Sequence, residues 1–268
     1  MRDQTGPDFI EALARGLDVI RAFAPNRRAM SLSEVAAATG LARPTARRIL
    51  LTLEALGYVR AAHGAFTLTP RILDLGMAYI GSTNIWEIAR PHMEALVART
   101  GESSSLAQLD GADIVYVARV AVPKIITLAV TVGTRFPALQ TSLGKALLAS
   151  LSHDELERTL AQPSRSGITP RWNPGAEERD RALSDVRERG WALTDEQLAP
   201  GIRSIAAPVR DSATHVVAAL NVSVHAAETS VETLIEDYLP LLLQTAEAIS
   251  ADWMRWRNRP QITVAAHS

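Results

Sequence analysis

Apolar residues recur at Ile10, Leu13, Leu17, Ile20 and Phe23, a spacing that predicts an amphipathic helix over 9–24, stopped by Pro25 and Asn26. Ser31 and Glu34 form an S-x-x-E capping signal for a second helix that carries Val35, Ala36 and Ala38 and ends at Gly40. A third follows, with Pro44 in its first turn, Ile49, Leu50, Leu53 and Leu56 on its apolar face, and Gly57 as its stop. The period then changes. Residues 58–60 and 66–68 are short β-like runs around His63-Gly64, a hairpin signal. Pro70 opens another helical stretch, with Ile72, Leu75, Met77 and Tyr79 apolar, and 91–101 reads as one more helix beginning at Pro91.

From residue 103 the chain alternates as strands do. Residues 103–109, 113–120 and 125–132 predict three strands, the first two joined at Asp110-Gly111. Helices are expected over 142–150, near 153–161 behind a second capping box at Ser152 and Glu155, and over 176–190. Residues 162–175, rich in Pro, Ser and Gly, read as loop. Three more strand-like runs occupy 191–195, 203–209 and 215–224, and a long helix from about Ser230 to Arg257 has Pro240 as its expected kink.

The order of elements divides the chain into an N-terminal domain over 9–69, a linker helix over 70–90, a larger domain over 91–257 and a disordered tail over 258–268. The fold class is α+β, with six strands in the larger domain. Two short helices joined through a Gly-containing turn and followed by a β-hairpin are the parts of a winged helix-turn-helix. The second helix of such a pair enters the major groove and reads with its N-terminal residues. Here that end carries Arg43, Thr45, Arg47 and Arg48, and no acidic residue stands between Glu34 and Glu54. Guanidinium groups suit both phosphate oxygens and the guanine edge. Arg60, in the hairpin, is placed to reach a backbone phosphate. An arginine-bearing helix is by itself most often a solvated face. The required order of cap, turn, helix and hairpin within forty residues makes DNA contact the better reading.

Charge agrees with this division. Ten Arg face seven Asp and Glu in residues 1–80, against eighteen Lys and Arg and twenty-two Asp and Glu in the remainder. The net charge of −1 therefore conceals a cationic N-terminal part suited to a polyanion. No apolar run approaches the ~20 residues of a membrane helix, and the polar, acidic N-terminal stretch has no signal-peptide core, so a cytoplasmic location is expected. The chain has no cysteine, which excludes disulfides and thiolate chemistry.

Seven segments, in order, resemble the isocitrate-lyase-regulator (IclR) type of bacterial transcription factor: ARGLDVIRAF (14–23), MSLSEVAAATGL (30–41), RRILLTLEALGYV (47–59), LTPRILDLG (68–76), VGTRFPALQTSLGKALLA (132–149), DEQLAPGIRSIAAPV (195–209) and AALNVSVHA (218–226). The resemblance runs from about residue 9 to 255 and is closest to the branch controlling β-ketoadipate pathway genes, which act on protocatechuate, 4-hydroxybenzoate or related acids. It implies a GAF-like effector-binding domain built on an antiparallel six-stranded sheet, and a protein that works as a dimer or tetramer. The partners it implies are double-stranded operator DNA, a small aromatic acid effector, further copies of the chain and RNA polymerase; no membrane, metal or cofactor is expected. Carried over by motif, the effector-lining positions are Ser142, Leu143, Thr194, Ser204, Asn221 and Ser223. Relatives often have an acidic residue where Thr194 stands and a cysteine where Ser204 stands, departures that bear on the identity of the ligand.

Asn221 and Ser223 are two apart on a strand and share a face, while Leu220, Val222 and Val224 face the other way. A polar pair in an apolar strand needs hydrogen-bond partners, supplied either by a ligand or by backbone and water. Ser142 stands at a helix start, as an anion site or as an ordinary N-cap. An acidic effector also wants a cation. Arg119, Arg135 and Arg203 are the candidates, each with a surface or interface role as its alternative.

Enzyme signatures fail. Ser142-x-x-Lys145 matches a serine-acylase pattern whose K-T-G partner is missing, since the other lysine, Lys124, is followed by Ile125. Gly144-Lys145 lacks the glycine of a phosphate loop, because position 139 is Leu139. His92, His215 and His225 have no ligand spacing. The expected function is a ligand-responsive regulator of a catabolic operon, with effector binding changing the placement of two DNA-binding units through the 70–90 helix. A constitutive DNA-binding dimer and a small-molecule hydrolase are the alternatives.

Overall fold

The computed structural model describes residues 6, 8–23, 27–123, 130–213 and 215–258. They fall into two compact units that divide between Ser82 and Thr83. In the first, α1 (Glu11–Ala22), α2 (Leu32–Thr39) and α3 (Arg43–Ala55) pack with a small sheet of β1 (Ala29–Ser31), β2 (Val59–Ala62) and β3 (Ala65–Leu68) in the order β1-β3-β2. The Ser31–Glu34 capping box starts α2, with the Ser31 amide donating to Glu34 Oε2 at 2.7 Å, and Gly40 ends it at φ +66°. The β2–β3 hairpin turns on His63 and Gly64, both with positive φ (50° and 79°), the two-residue turn that matches strand twist. Val19, Met30, Val35, Leu50, Leu53 and Val59 form the core.

After a 3₁₀ turn at Pro70–Ile72 comes α4 (Leu73–Thr83), then α5 (Ile85–Thr100). The linker helix expected over 70–90 is thus interrupted. Asn84 adopts φ 46°, ψ 2°, a left-handed conformation that cannot continue a helix. Pro91, expected to begin a helix, lies inside α5. The buried positions Ile85, Ala89, Met93 and Leu96 form one helical stripe in the core, and their burial outweighs the roughly 3 kcal/mol a mid-helix proline costs.

The second unit is built on an antiparallel sheet of six strands: β4 (Ser103–Asp110), β5 (Asp113–Val120), β6 (Arg135–Pro137), β7 (Ala192–Asp195), β8 (Ile202–Arg210) and β9 (Val216–His225). Their order is β6-β5-β4-β9-β8-β7. The strand expected over 125–132 falls mostly outside the described residues; its described end, 130–132, is not strand, and the edge strand is β6 instead. The expected tail from 259 onward and the stop at Pro25 and Asn26 also lie outside the described residues. Helix α5 and the C-terminal helical run cover one face of the sheet. That run comprises α9 (Val231–Thr233), a π-helical turn (Leu234–Tyr238) and α10 (Leu239–Arg257). The π turn lies just before Pro240, whose ring and missing N–H disturb the preceding turn. The other face carries α6 (Ser142–Leu148), α7 (His153–Leu160) and α8 (Ala176–Arg189). Burial on both faces explains why β8 and β9 read as nearly continuous apolar runs.

Candidate functional site

In the first unit, Ala46, Leu50 and Leu53 bury one side of α3, which leaves Arg43, Arg47 and Arg48 exposed on the other; Thr45 is half-buried. The N-cap, Ala42, makes no side-chain cap, so the first-turn N–H groups stay open to an anion such as a phosphate. Arg60 is exposed on β2. The helix start and the hairpin thus present four arginines within one unit, none in an ion pair with a described carboxylate.

In the second unit a small cavity, of about 40 Å³, lies between the sheet and α6. Its sheet side is organised by register. One row runs Ser103, Ser223, Ser204, Thr194 across β4, β9, β8 and β7; the next runs Arg119, Ser105, Asn221, Ala206 across β5, β4, β9 and β8. Polar side chains therefore stand side by side across four strands on one face, while Leu220, Val222 and Val224 point into the opposite core. The Thr194 and Ser204 hydroxyls are 3.0 Å apart, and Ser204 lies 2.7 Å from Ser142 at the first turn of α6. Thr141, not Ser142, caps α6: its hydroxyl accepts from the Gly144 amide at 2.9 Å. Ser142 is left free to face the cavity.

Asn221 and Ser223 do not wait for a ligand. Asn221 Oδ1 accepts from the Ser105 amide and its Nδ2 donates to Ser223 Oγ, both at 2.9 Å. The pair is satisfied within the protein, so its value to a ligand is as a pre-ordered polar surface.

Arg119 reaches the cavity because of a β-bulge. The β4–β5 register passes from Ala107↔Tyr116 to Leu106↔Ala118, leaving Val117 as the extra residue. Ile114 and Tyr116 face the α6 side, Ala118 faces the α5 side, and Arg119 returns to the cavity. Strict alternation would have sent it the other way. Its Nη1 donates to Ser105 Oγ at 2.9 Å, and burial pulls its pKa below the usual guanidinium value. Arg135 and Arg203 do not line the cavity. Each precedes a lining residue, Phe136 or Ser204, and so points to the opposite side of its strand. Arg135 pairs with Asp110 and lies 3.8 Å from Asp113; Arg203 pairs with Asp195 at 2.8 and 3.0 Å and donates to the Thr229 carbonyl at 2.6 Å.

Ser142, Leu143, Thr194, Ser204, Asn221, Ser223 and Arg119 come together around one space. Sequence reasoning missed Tyr116, Phe136, Gln140, Leu198 and Ile202, which also line it. Tyr116 and Phe136 meet edge to face at 5.7 Å, and burial raises the Tyr116 hydroxyl to about 12, so it stays a neutral donor. Among the described residues, no carboxylate and no histidine lines the cavity. Ser142 faces another hydroxyl rather than a base, and the described lining residues include no nucleophile–base pair of a hydrolase.

A winged helix-turn-helix joined to a domain with an internal cavity is the architecture of a DNA-binding transcriptional regulator. Residues 12–63 match the IclR helix-turn-helix domain, and residues 77–251 match the bacterial transcriptional regulator IclR C-terminal domain. The chain belongs to the IclR family. It is 37% identical over 238 residues to the Pca regulon regulatory protein of Pseudomonas putida, covering 88% of this chain and 82% of that one. Among solved structures, a Rhodococcus sp. RHA1 protein superposes with TM-score 0.79 at 46% identity, covering 92% of this chain and all of that one. An IclR homologue from Microbacterium hydrocarbonoxydans, solved in complex with 4-hydroxybenzoate, superposes with TM-score 0.77 at 26% identity, over 91% of this chain and 99% of that one. Among the described residues, no helix is long and apolar enough to cross a membrane, and no group of His, Asp and Glu is placed to hold a metal.

Proposed function

We propose that this regulator responds to a small aromatic carboxylic acid and controls genes for the breakdown of such acids. The observation that carries the proposal is the placement of Arg119. Among the described lining residues it is the one cation, brought by a bulge into a cavity with an aromatic wall, a row of hydroxyls and no described carboxylate. A ring would pack against Tyr116 and Phe136, a carboxylate would meet Arg119, and a ring hydroxyl would join the Thr194, Ser204 and Ser142 cluster. The regulators of pca genes and the 4-hydroxybenzoate complex among its relatives favour the same class of ligand. On this reading Arg43, Thr45, Arg47 and Arg48 contact the operator's major groove and Arg60 a flanking phosphate. Two or four copies of the chain grip a palindromic site, where they meet RNA polymerase.

Calorimetric titration with 4-hydroxybenzoate, protocatechuate and β-ketoadipate, paired with operator binding, tests the proposal. Saturable binding of an aromatic acid that shifts operator affinity, and its loss in Arg119→Met, is the expected result. Silence from both aromatic acids would withdraw the ligand class and favour a constitutive DNA-binding dimer.

A further inference from the structure

The cavity is closed on one side by the connection from β7 to β8, which places Leu198 and Ile202 against it. The ends of this segment are fixed by backbone bonds, from the Glu196 amide to the Ile202 carbonyl and from the Ala226 amide to the Gly201 carbonyl, both 2.9 Å. Its middle is held differently. The Gln197 carbonyl accepts from the Arg171 and Trp172 amides at 3.1 Å each, and Gln197 Oε1 accepts from Lys145 Nζ at 2.5 Å. Trp172 covers that ammonium, with Nζ 4.3 Å from its ring centre.

We propose that Lys145 is a positioning residue that latches the 196–201 segment shut as a lid and thereby sets how fast the cavity exchanges its ligand. Lys145 sits on α6 one turn beyond Ser142 and Leu143, so the latch and the cavity wall belong to the same helix. It is only 4% exposed and forms no ion pair with a described carboxylate within salt-bridge distance, although Glu178 and Arg189 of α8 act on it at longer range. A buried ammonium held by one amide oxygen and one aromatic face is a costly way to fill space. That desolvation offsets part of what the hydrogen bond and the aromatic face contribute to the closed form, because opening returns the ammonium to water. A latch of this kind holds the lid without locking it. Glu196 adds a positive φ of 51° at the hinge, and Gly201, at φ 75°, is packed against the His225 ring, where a Cβ would come within 3.0 Å of Nε2.

The identity of the lidded cavity as an effector site rests on the reading above, but the latch can be tested without any ligand. Hydrogen–deuterium exchange of the full-length, ligand-free protein follows the Arg171 and Trp172 amides, which report the lid directly. Lys145→Met and Gln197→Ala should each speed their exchange by about ten-fold, with the double variant no faster than either single one. Amides of β4 and β9 should be unchanged, which shows that the fold persists; if Lys145→Met does not fold, Gln197→Ala carries the test. Unchanged lid exchange, or additive effects in the double variant, would overturn the latch. Stopped-flow binding of 4-hydroxybenzoate adds the functional arm: association and dissociation should both accelerate, with a much smaller change in Kd. A change in Kd through dissociation alone would make Lys145 a simple affinity contact and overturn its gating role. Failure of the wild type to bind this acid would count against the proposed ligand class, while the exchange result still decides the latch.

Discussion

Arg119 stands directly opposite Ser105 in the β4–β5 register, and its Nη1 donates to the Ser105 hydroxyl at 2.9 Å. Ser105 is fully buried, and its backbone amide donates to Asn221 Oδ1, so the three residues of this row are tied across three strands. The cation is thereby held in place within the cavity, an arrangement that would lower the ordering cost of binding the proposed acid. Ser105→Ala should weaken aromatic-acid binding by about three- to ten-fold, the value of one hydrogen bond. Arg119→Met should weaken it by more, since a charge-assisted contact is lost. Calorimetry on both variants checks the order.

The two halves of the protein should separate by mutation. Arg47→Ala is expected to abolish specific operator binding while leaving effector affinity unchanged. Arg60→Ala should weaken binding to all DNA sequences alike and reduce the slope of log affinity against log salt by about 1. Fluorescence anisotropy across a salt series distinguishes the two behaviours.

Gly144 is required by a close approach of backbones. A Cβ there would fall 2.0 Å from the Ala138 carbonyl oxygen and 2.4 Å from its carbon, atoms that cannot swing aside as a side chain can. Gly144→Ala should therefore push α6 away from the 138–140 turn and cost about 1–3 kcal/mol. A melting temperature lower by several degrees, with weaker effector binding, is the expected outcome.

Burial holds the Lys145 ammonium down, with Arg189 adding to the effect and Glu178 opposing it, so that it titrates at about 8 rather than 10.5. Between those values the unfolded chain binds more protons at this position than the folded one. The contribution of Lys145 to stability should thus rise with pH across the window from about 8 to 10.5. Urea denaturation of wild type and Lys145→Met across this range isolates it, because Tyr116, which titrates near 12 in the fold, is common to both proteins. A constant difference between the two curves would refute the assignment.

Much of this architecture was legible from local signals. The two capping boxes, Gly40, the His63-Gly64 hairpin and the alternation of Asn221 and Ser223 depend on neighbours a few residues away, and short-range sterics and hydrogen bonding settle them. The break at Asn84 and the continuous helix through Pro91 went unread for the opposite reason. The course of α5 is decided by what Ile85, Ala89, Met93 and Leu96 bury against, and that surface comes from β5 and α10.

The amino-acid sequence by itself determined the helices and hairpin of the first unit, the cationic start of α3, the polar face of β9 and the class of protein, because each is written in spacing and residue type. Tertiary structure alone decided which arginine lines the cavity. Arg119, Arg135 and Arg203 are alike as letters on strands. They part company because a single extra residue at Val117 reverses the facing of everything after it, and because Asp110 and Asp195 stand within reach of the other two. Strand register converts a one-residue offset into a change of face, and register is fixed by pairing with distant strands rather than by the neighbours of the residue in question.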